Sequence, residues 1–171
     1  MAVVGTAAAG LGAVARGATA LQLRRPGASV AELASEARRL ALESPVPVVV
    51  SSRVDLALAL GLGVHLPELD LPIRAARRLL PAALLGCSVH DAEGALAAAR
   101  GGADYLVLGP VYATPTHPGA PVLGVQRFRE IAEQVPIPVL AIGGMNGARA
   151  AALGGAGYAA IRAFALPAGP E

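Results

Sequence analysis

Residues 46–66 read VPVVVSSRVDLALALGLGVHL. A run of β-branched residues, Val46 to Val50, gives way at Ser51, Ser52 and Arg53 to an Ala/Leu segment of helical character. Gly61 interrupts that segment, and a second short apolar run, Gly63 to Leu66, follows. Short apolar runs bounded by turn residues suit strands buried on both faces, and the segment between them is long enough for one helix. A crossover this short leaves only a right-handed βαβ unit with its two strands parallel.

The same alternation extends in both directions. Strands are expected near Ala2–Val4, Thr19–Leu23, Val46–Val50, Gly63–Leu66, Leu84–Cys87, Tyr105–Leu108, Val139–Ile142 and Ala159–Ile161. Helices are expected between them, near Ala7–Ala15, Val30–Glu43, Arg53–Leu60, Pro72–Leu80, Ala92–Arg100, Val125–Gln134 and Gly147–Leu153. Eight strands and seven helices predict a compact α/β fold, a (β/α)8 TIM barrel with a short first strand and the last helix largely missing. The whole chain, 1–171, reads as a single domain, although an open doubly wound sheet would give a similar alternation. Gly154, Gly155 and Gly157 are placed to end the seventh helix.

Composition narrows the chemistry. Hydrophobic residues make up 54% of the chain and aromatic ones 3%, with no Trp, so the core is built from small branched side chains. All 14 basic residues are arginines. Without lysine the chain has neither a Schiff-base nucleophile nor the lysine of a P-loop, and an anion site must use Arg, backbone N–H groups or helix ends. A net charge of +2, with arginines at helical spacing and mixed with Glu, describes solvated helix faces and no nucleic-acid stripe. The single Cys87 lies in an apolar run and excludes an internal disulfide. The Ala- and Gly-rich start lacks the basic residues that open a signal peptide, and no uncharged apolar run reaches membrane-spanning length. A cytoplasmic protein with neither nucleic-acid nor membrane partners is expected.

In a βα barrel the chemistry sits just past the C-terminal strand ends. The polar residues there are Gln22 and Arg24; Ser51, Ser52 and Arg53; His65, Glu68 and Asp70; Ser88 and His90; Thr114, Thr116 and His117; and Arg162. Ala-Ile-Gly-Gly-Met-Asn at 141–146 is the strongest local signal, because a strand ending in Gly143-Gly144 before a helix exposes N–H groups to a phosphate. The long loop from Gly109 to Gly124 carries His117, an imidazole on a segment able to close over a ligand, and it is the candidate acid/base. His65 reads as a packed histidine and His90 as a neighbour of a helix cap. Asp70, ahead of Leu71-Pro72, reads as a helix cap, and with Glu68 as a Mg²⁺ pair only if the substrate brings phosphates.

Taken in order, several segments resemble the thiamine phosphate synthase and TenI family over roughly residues 7–165. They are Leu-Gln-Leu-Arg at 21–24, Arg-Val-Asp-Leu-Ala at 53–57, Gly-Val-His-Leu at 63–66, Gly-Cys-Ser-Val-His at 86–90, Ala-Asp-Tyr-Leu-Val-Leu-Gly-Pro-Val-Tyr at 103–112, Thr-Pro-Thr-His at 114–117 and Ala-Ile-Gly-Gly-Met at 141–145. The resemblance implies a role in thiamine biosynthesis and a small phosphorylated thiazole ligand. By it, Gln22, Arg24, Ser52 and Ser88 face a pyrimidine or pyrophosphate half-site, and Thr114 and Thr116 hold a thiazole carboxylate. Gly143, Gly144, Arg162 and Ala163 bind the thiazole phosphate.

The chain departs from the synthase pattern at three places. Ser51 and Ser52 stand where the family has an Asn-Asp pair, leaving only Asp70 as a metal-binding carboxylate. His117 stands for the lysine of the long loop, and Pro26 for the lysine after the Gln-x-Arg motif. A departing pyrophosphate needs such charges. The expectation is therefore a TenI-like protein that binds a thiazole (carboxylate) phosphate and catalyses its proton-transfer tautomerisation without a cofactor, His117 being catalytic. Pro110 replaces the histidine that the TenI branch uses. Alternatives are a thiamine phosphate synthase, joining hydroxymethylpyrimidine pyrophosphate to thiazole phosphate with Mg²⁺ at Asp70, and a non-catalytic ligand-binding or regulatory homologue. Barrel surface left uncovered by the missing helix suggests a homo-oligomer.

Overall fold

The structure, a computed structural model, describes residues 1–114, 119 and 121–164. Seven strands, β1 (Ala2–Val4), β2 (Leu21–Leu23), β3 (Val48–Ser51), β4 (Gly63–Leu66), β5 (Leu85–Val89), β6 (Tyr105–Leu108) and β7 (Val139–Ala141), lie side by side in sequence order. Every adjacent pair is parallel. The crossovers are α1 (Ala7–Ala15), α2 (Val30–Glu43), α3 (Val54–Leu60), α4 (Ile73–Leu79), α5 (Ala92–Gly101) and α6 (Gly124–Ala132), with α7 (Gly147–Ala150) following β7.

The eighth strand differs from expectation. Instead of a strand at 159–161, residues 157–160 make two isolated bridges, Tyr158 to Ala141 and Ala160 to Ala2. Ala159 N–H donates to the Ala141 carbonyl at 2.8 Å, and Val3 N–H to the Ala160 carbonyl at 2.9 Å, so this segment joins β7 to β1 and closes the ring. Each neighbour meets the segment at one position only, Ala141 at Tyr158 and Ala2 at Ala160, so no two consecutive pairs build a ladder. The expected loss of the last helix concerns residues beyond those described.

Strand ends follow from donor chemistry. β2 and β3 begin later than expected because Pro47 has no N–H: it accepts from Leu21 at 2.9 Å but cannot return the bond, so the ladder starts at Leu21 opposite Val48. β5 runs on to Val89 because β6 supplies Leu108 opposite it. Helix starts are capped as their sequences dictate. Thr6, Ser29, Asp91 and Asn146 each accept a backbone N–H, and Ser29 with Glu32 completes a capping box. Gly154, in the left-handed conformation, ends the short 3₁₀ turn Ala151–Leu153 that continues α7.

Alternation along each strand divides the core into two layers. Ala2, Val4, Leu21, Leu23, Val48, Val50, Val64, Leu66, Leu85, Leu106 and Leu108 face the helices in one large cluster. Met1, Val49, Tyr105, Val107 and Ala159 fill the barrel interior. Polar side chains interrupt this interior: among the described residues Gln22 and His65 are the buried polar ones, and Ser88 shares their face. These groups, near the C-terminal strand ends, place the site.

Candidate functional site

A cavity of about 850 Å³ opens at the C-terminal strand ends. Of the residues singled out in the sequence, Gln22, Arg24, Ser88, Thr114, Gly143, Gly144, Arg162 and Ala163 all line it. Ser52 does not; it sits at φ 61, a left-handed turn, with its N–H donating to the His65 carbonyl at 3.0 Å. Thr116 and His117 lie outside the described residues. His65, Glu68 and His90, polar residues also noted past the strand ends, line the wall as well.

The end of β7 is built around its two glycines. Gly143 has φ 93 and Gly144 φ 61, conformations that favour glycine. A Cβ on Gly143 would lie 2.5 Å from Pro110 Cβ, and one on Gly144 2.9 Å from the Ala113 carbonyl oxygen. The two loops are tied together: Val111 N–H donates to Ile142 O at 2.7 Å and Tyr112 N–H to Gly143 O at 3.1 Å. Arg149 donates from Nη1 to Gly144 O at 2.6 Å while its guanidinium lies 4.4 Å from the centroid of the Tyr112 ring. The carbonyls are thereby drawn into the protein. The N–H groups of Gly143 and Gly144 donate to no other described residue, which leaves them available to an anion in the cavity. Arg24 and Arg162 line the same cavity, and neither forms an ion pair with another described residue.

The floor is a set of side-chain hydrogen bonds. Gln22 donates from Nε2 to Ser51 Oγ at 2.8 Å. The His65 ring spans two partners, Tyr105 Oη at 3.1 Å from Nδ1 and Ser88 Oγ at 2.8 Å from Nε2. Gly86, level with both His65 and Tyr105 in the sheet, makes room for this contact: a Cβ there would stand 2.1 Å from Tyr105 Cζ. Burial pushes the His65 pKa down to about 4, so its ring is neutral at pH 7, and burial likewise raises the Tyr105 phenol. His65 is therefore the packed histidine the sequence suggested.

At the rim, His90 Nδ1 and Glu68 Oε2 are 2.6 Å apart. Asp91 caps α5, and His90 is its neighbour, as the sequence reads. Asp70 does not cap α4. Pro72, not Asp70, stands at the N-cap position before Ile73 and supplies no side-chain cap, and Asp70 Oδ1 accepts instead from the adjacent Leu71 N–H at 2.7 Å. Among the described residues no group of three or more His, Cys, Asp or Glu side chains could hold a metal ion, and no helix is long and apolar enough to cross a membrane. The Glu68–His90 pair was hidden in the sequence because its members lie 22 residues apart on different loops. The only signal was that both fall just past strand ends, three residues after His65 and two after Ser88.

Comparisons with known proteins agree with this arrangement. The family model described as thiamine monophosphate synthase matches residues 5–164. The thiamine-phosphate synthase of Chloroflexus aurantiacus is 45% identical over 144 residues, covering 81% of this chain and 67% of that protein. That of Pyrococcus abyssi is 44% identical over 134 residues, 76% of this chain and 65% of that protein. The chain thus spans about two-thirds of the length of the curated relatives it matches. A solved thiamine phosphate pyrophosphorylase from Pyrococcus furiosus superposes with a TM-score of 0.85 at 36% identity, covering 94% of this chain and 83% of that one. FabK from Thermotoga maritima, at 18% identity and a TM-score of 0.77, shares the fold alone. With its strand order, its paired glycines after β7 and a family match along nearly its whole length, the chain belongs to the thiamine monophosphate synthase (TMP-TENI) family.

Proposed function

We propose that the chain binds a thiazole phosphate and joins it to hydroxymethylpyrimidine pyrophosphate, which would make the thiamine phosphate that its relatives are named for. The observation that carries this reading is the cavity of about 850 Å³ lined both by Gly143, Gly144 and Arg162 and by Gln22, Arg24 and Ser88. That volume is near the upper end of the ~300–1,000 Å³ common for ligand pockets, room for two small heterocycles side by side. In the coupling, the thiazole ring nitrogen forms a bond to the pyrimidine methylene carbon, and the carbon–oxygen bond to pyrophosphate breaks with its electrons leaving on oxygen. The glycine N–H groups and Arg162 anchor one phosphate; Arg24 meets the charge that grows on the other.

The resemblance implies Mg²⁺ for this reaction. The donor set suits a metal that arrives on the substrate's phosphates, since such Mg²⁺ needs one or two carboxylates and fills the rest with water and phosphate oxygens. Glu68 on the cavity wall and Asp70 two residues beyond it would hold the ion, and its charge would neutralise the leaving pyrophosphate.

The TenI-like tautomerisation is the second reading. It is favoured by Ser51, whose hydroxyl is taken up by Gln22 where the resemblance expects part of an Asn-Asp pair, so the pyrophosphate side is poor in carboxylates. His117 would be its acid/base. Two assays on one purified sample separate the readings: thiamine phosphate formation with Mg²⁺, and conversion of the thiazole carboxylate phosphate tautomer. Coupling is the expected result. Tautomer conversion alone would replace it with the second reading, and silence in both with ligand still bound would leave a non-catalytic binding protein.

A further inference from the structure

The chain Tyr105–His65–Ser88 runs from the apolar interior to the cavity wall; Ser88 belongs to the ligand wall described above, and Tyr105 and His65 behind it have no part in either reaction as described. Its protons can be placed by counting. Tyr105 is 5% exposed, and among the described residues its hydroxyl has one hydrogen-bond partner, His65 Nδ1. A buried hydroxyl that fails to donate is costly, so Tyr105 donates and Nδ1 accepts. The ring is 2% exposed and neutral at pH 7, so it carries one proton, and that proton is on Nε2. Nε2–H then donates to Ser88 Oγ at 2.8 Å. Ser88 has spent an acceptor lone pair on His65, and its own O–H has no acceptor among the described residues; Ser88 lines the cavity.

We propose that Tyr105 and His65 are positioning residues that fix Ser88 as a hydrogen-bond donor, so that the cavity selects a ligand presenting an acceptor atom there, such as an unprotonated ring nitrogen or a phosphate-ester oxygen. A ligand that presents an N–H at that point meets a second donor and is rejected. Gly86 belongs to the device, because any side chain there displaces the Tyr105 ring from His65. The inference rests on the cavity being the ligand site, but the proton arrangement itself does not.

Two measurements test it. In wild-type protein labelled with ¹⁵N-histidine, long-range proton–nitrogen spectra at pH 7 are expected to show His65 Nε2 as pyrrole-like and Nδ1 as pyridine-like. The reverse tautomer overturns the proposal without any variant being made. Calorimetric titrations with the thiazole phosphate and with the pyrimidine pyrophosphate then follow wild type, Ser88→Ala, Tyr105→Phe and the double variant. Ser88→Ala is expected to weaken one of the two ligands about fivefold, the loss of one hydrogen bond, and Tyr105→Phe to weaken the same ligand by about threefold. In the Ser88→Ala background Tyr105→Phe should have no further effect, since it acts through that hydroxyl. Additive losses, or a Ser88→Ala variant that binds both ligands as wild type does, overturn the proposal. Failure of wild type to bind either ligand refutes the functional reading, and the tautomer still decides this one.

Discussion

Replacing Gly143 by alanine tests the phosphate anchor with a single carbon. At φ 93 an L-residue carries a conformational cost of ~1–2 kcal/mol. The new Cβ would stand 2.5 Å from Pro110 Cβ, 2.7 Å from Pro110 Cα and 3.1 Å from Val111 N, where carbon contacts settle at about 3.5–4.0 Å. Relief means moving backbone, since no flexible side chain is available to give way, and such overpacking costs ~1–3 kcal/mol. Together these predict a loss of about 3 kcal/mol. The shift also pulls on the Val111–Ile142 and Tyr112–Gly143 bonds that hold the glycine N–H groups toward the cavity, so thiazole phosphate affinity should fall at least tenfold. The control is Gly147→Ala, where a Cβ meets no atom within 4 Å and stability should stay within ~0.5 kcal/mol. Urea unfolding followed by circular dichroism, with calorimetric titration of the ligand, reads both effects. If Gly143→Ala matches Gly147→Ala in urea midpoint and in affinity, the account of this turn is wrong.

His65 has a folded pKa of about 4 against 6.5 for a free imidazole, so between those values the unfolded chain binds more protons. Stability should rise with pH across that window, with His65 removing up to ~3 kcal/mol as pH falls to 4; urea midpoints at pH 7 and 4.5 should differ less in His65→Gln than in wild type, and an equal difference would contradict this. Arg77 donates to the carbonyls of Leu80, Pro81, Ala83 and Gly102 and pairs with Asp104, tying the ends of α4 and α5 together. Arg77→Met should cost about 2 kcal/mol, and Arg77→Lys should restore less than half, because one ammonium cannot span that set; full recovery by lysine in the same urea assay would refute the fork-based reading. Cys87, 6% exposed and with its thiol pushed up to about 11 by burial, should react with a disulfide reagent at pH 8 only after urea is added.

Most of the barrel was legible because the strands are short, mostly apolar runs and several helices carry their own start signal, as Ser29 with Glu32 shows for α2. The eighth strand was over-read from Ala159-Ala160-Ile161, because a strand needs consecutive pairs with a neighbour and this segment makes one bridge to each side. The convergence of Gln22, Arg24, Ser88, Gly143 and Arg162 followed from one rule, that residues past the strand ends meet in space. Contacts set by register were illegible. Nothing local says that Gly86 opens a path for the Tyr105 ring, that this ring reaches His65, or that Glu68 turns to His90. Ser52, adjacent to a strand end, looked equivalent to Ser51. The left-handed turn at Ser52 directs one serine to Gln22 and leaves the other off the cavity wall.

The central claim is that one cavity holds two ligands at once. The direct measurement is a sequential calorimetric titration: thiazole phosphate to saturation, then an unreactive analogue of the pyrimidine pyrophosphate added with Mg²⁺. One equivalent of each is expected to bind, in a ternary complex. Displacement of the first ligand by the second, or failure of the second to bind the saturated protein, would contradict it.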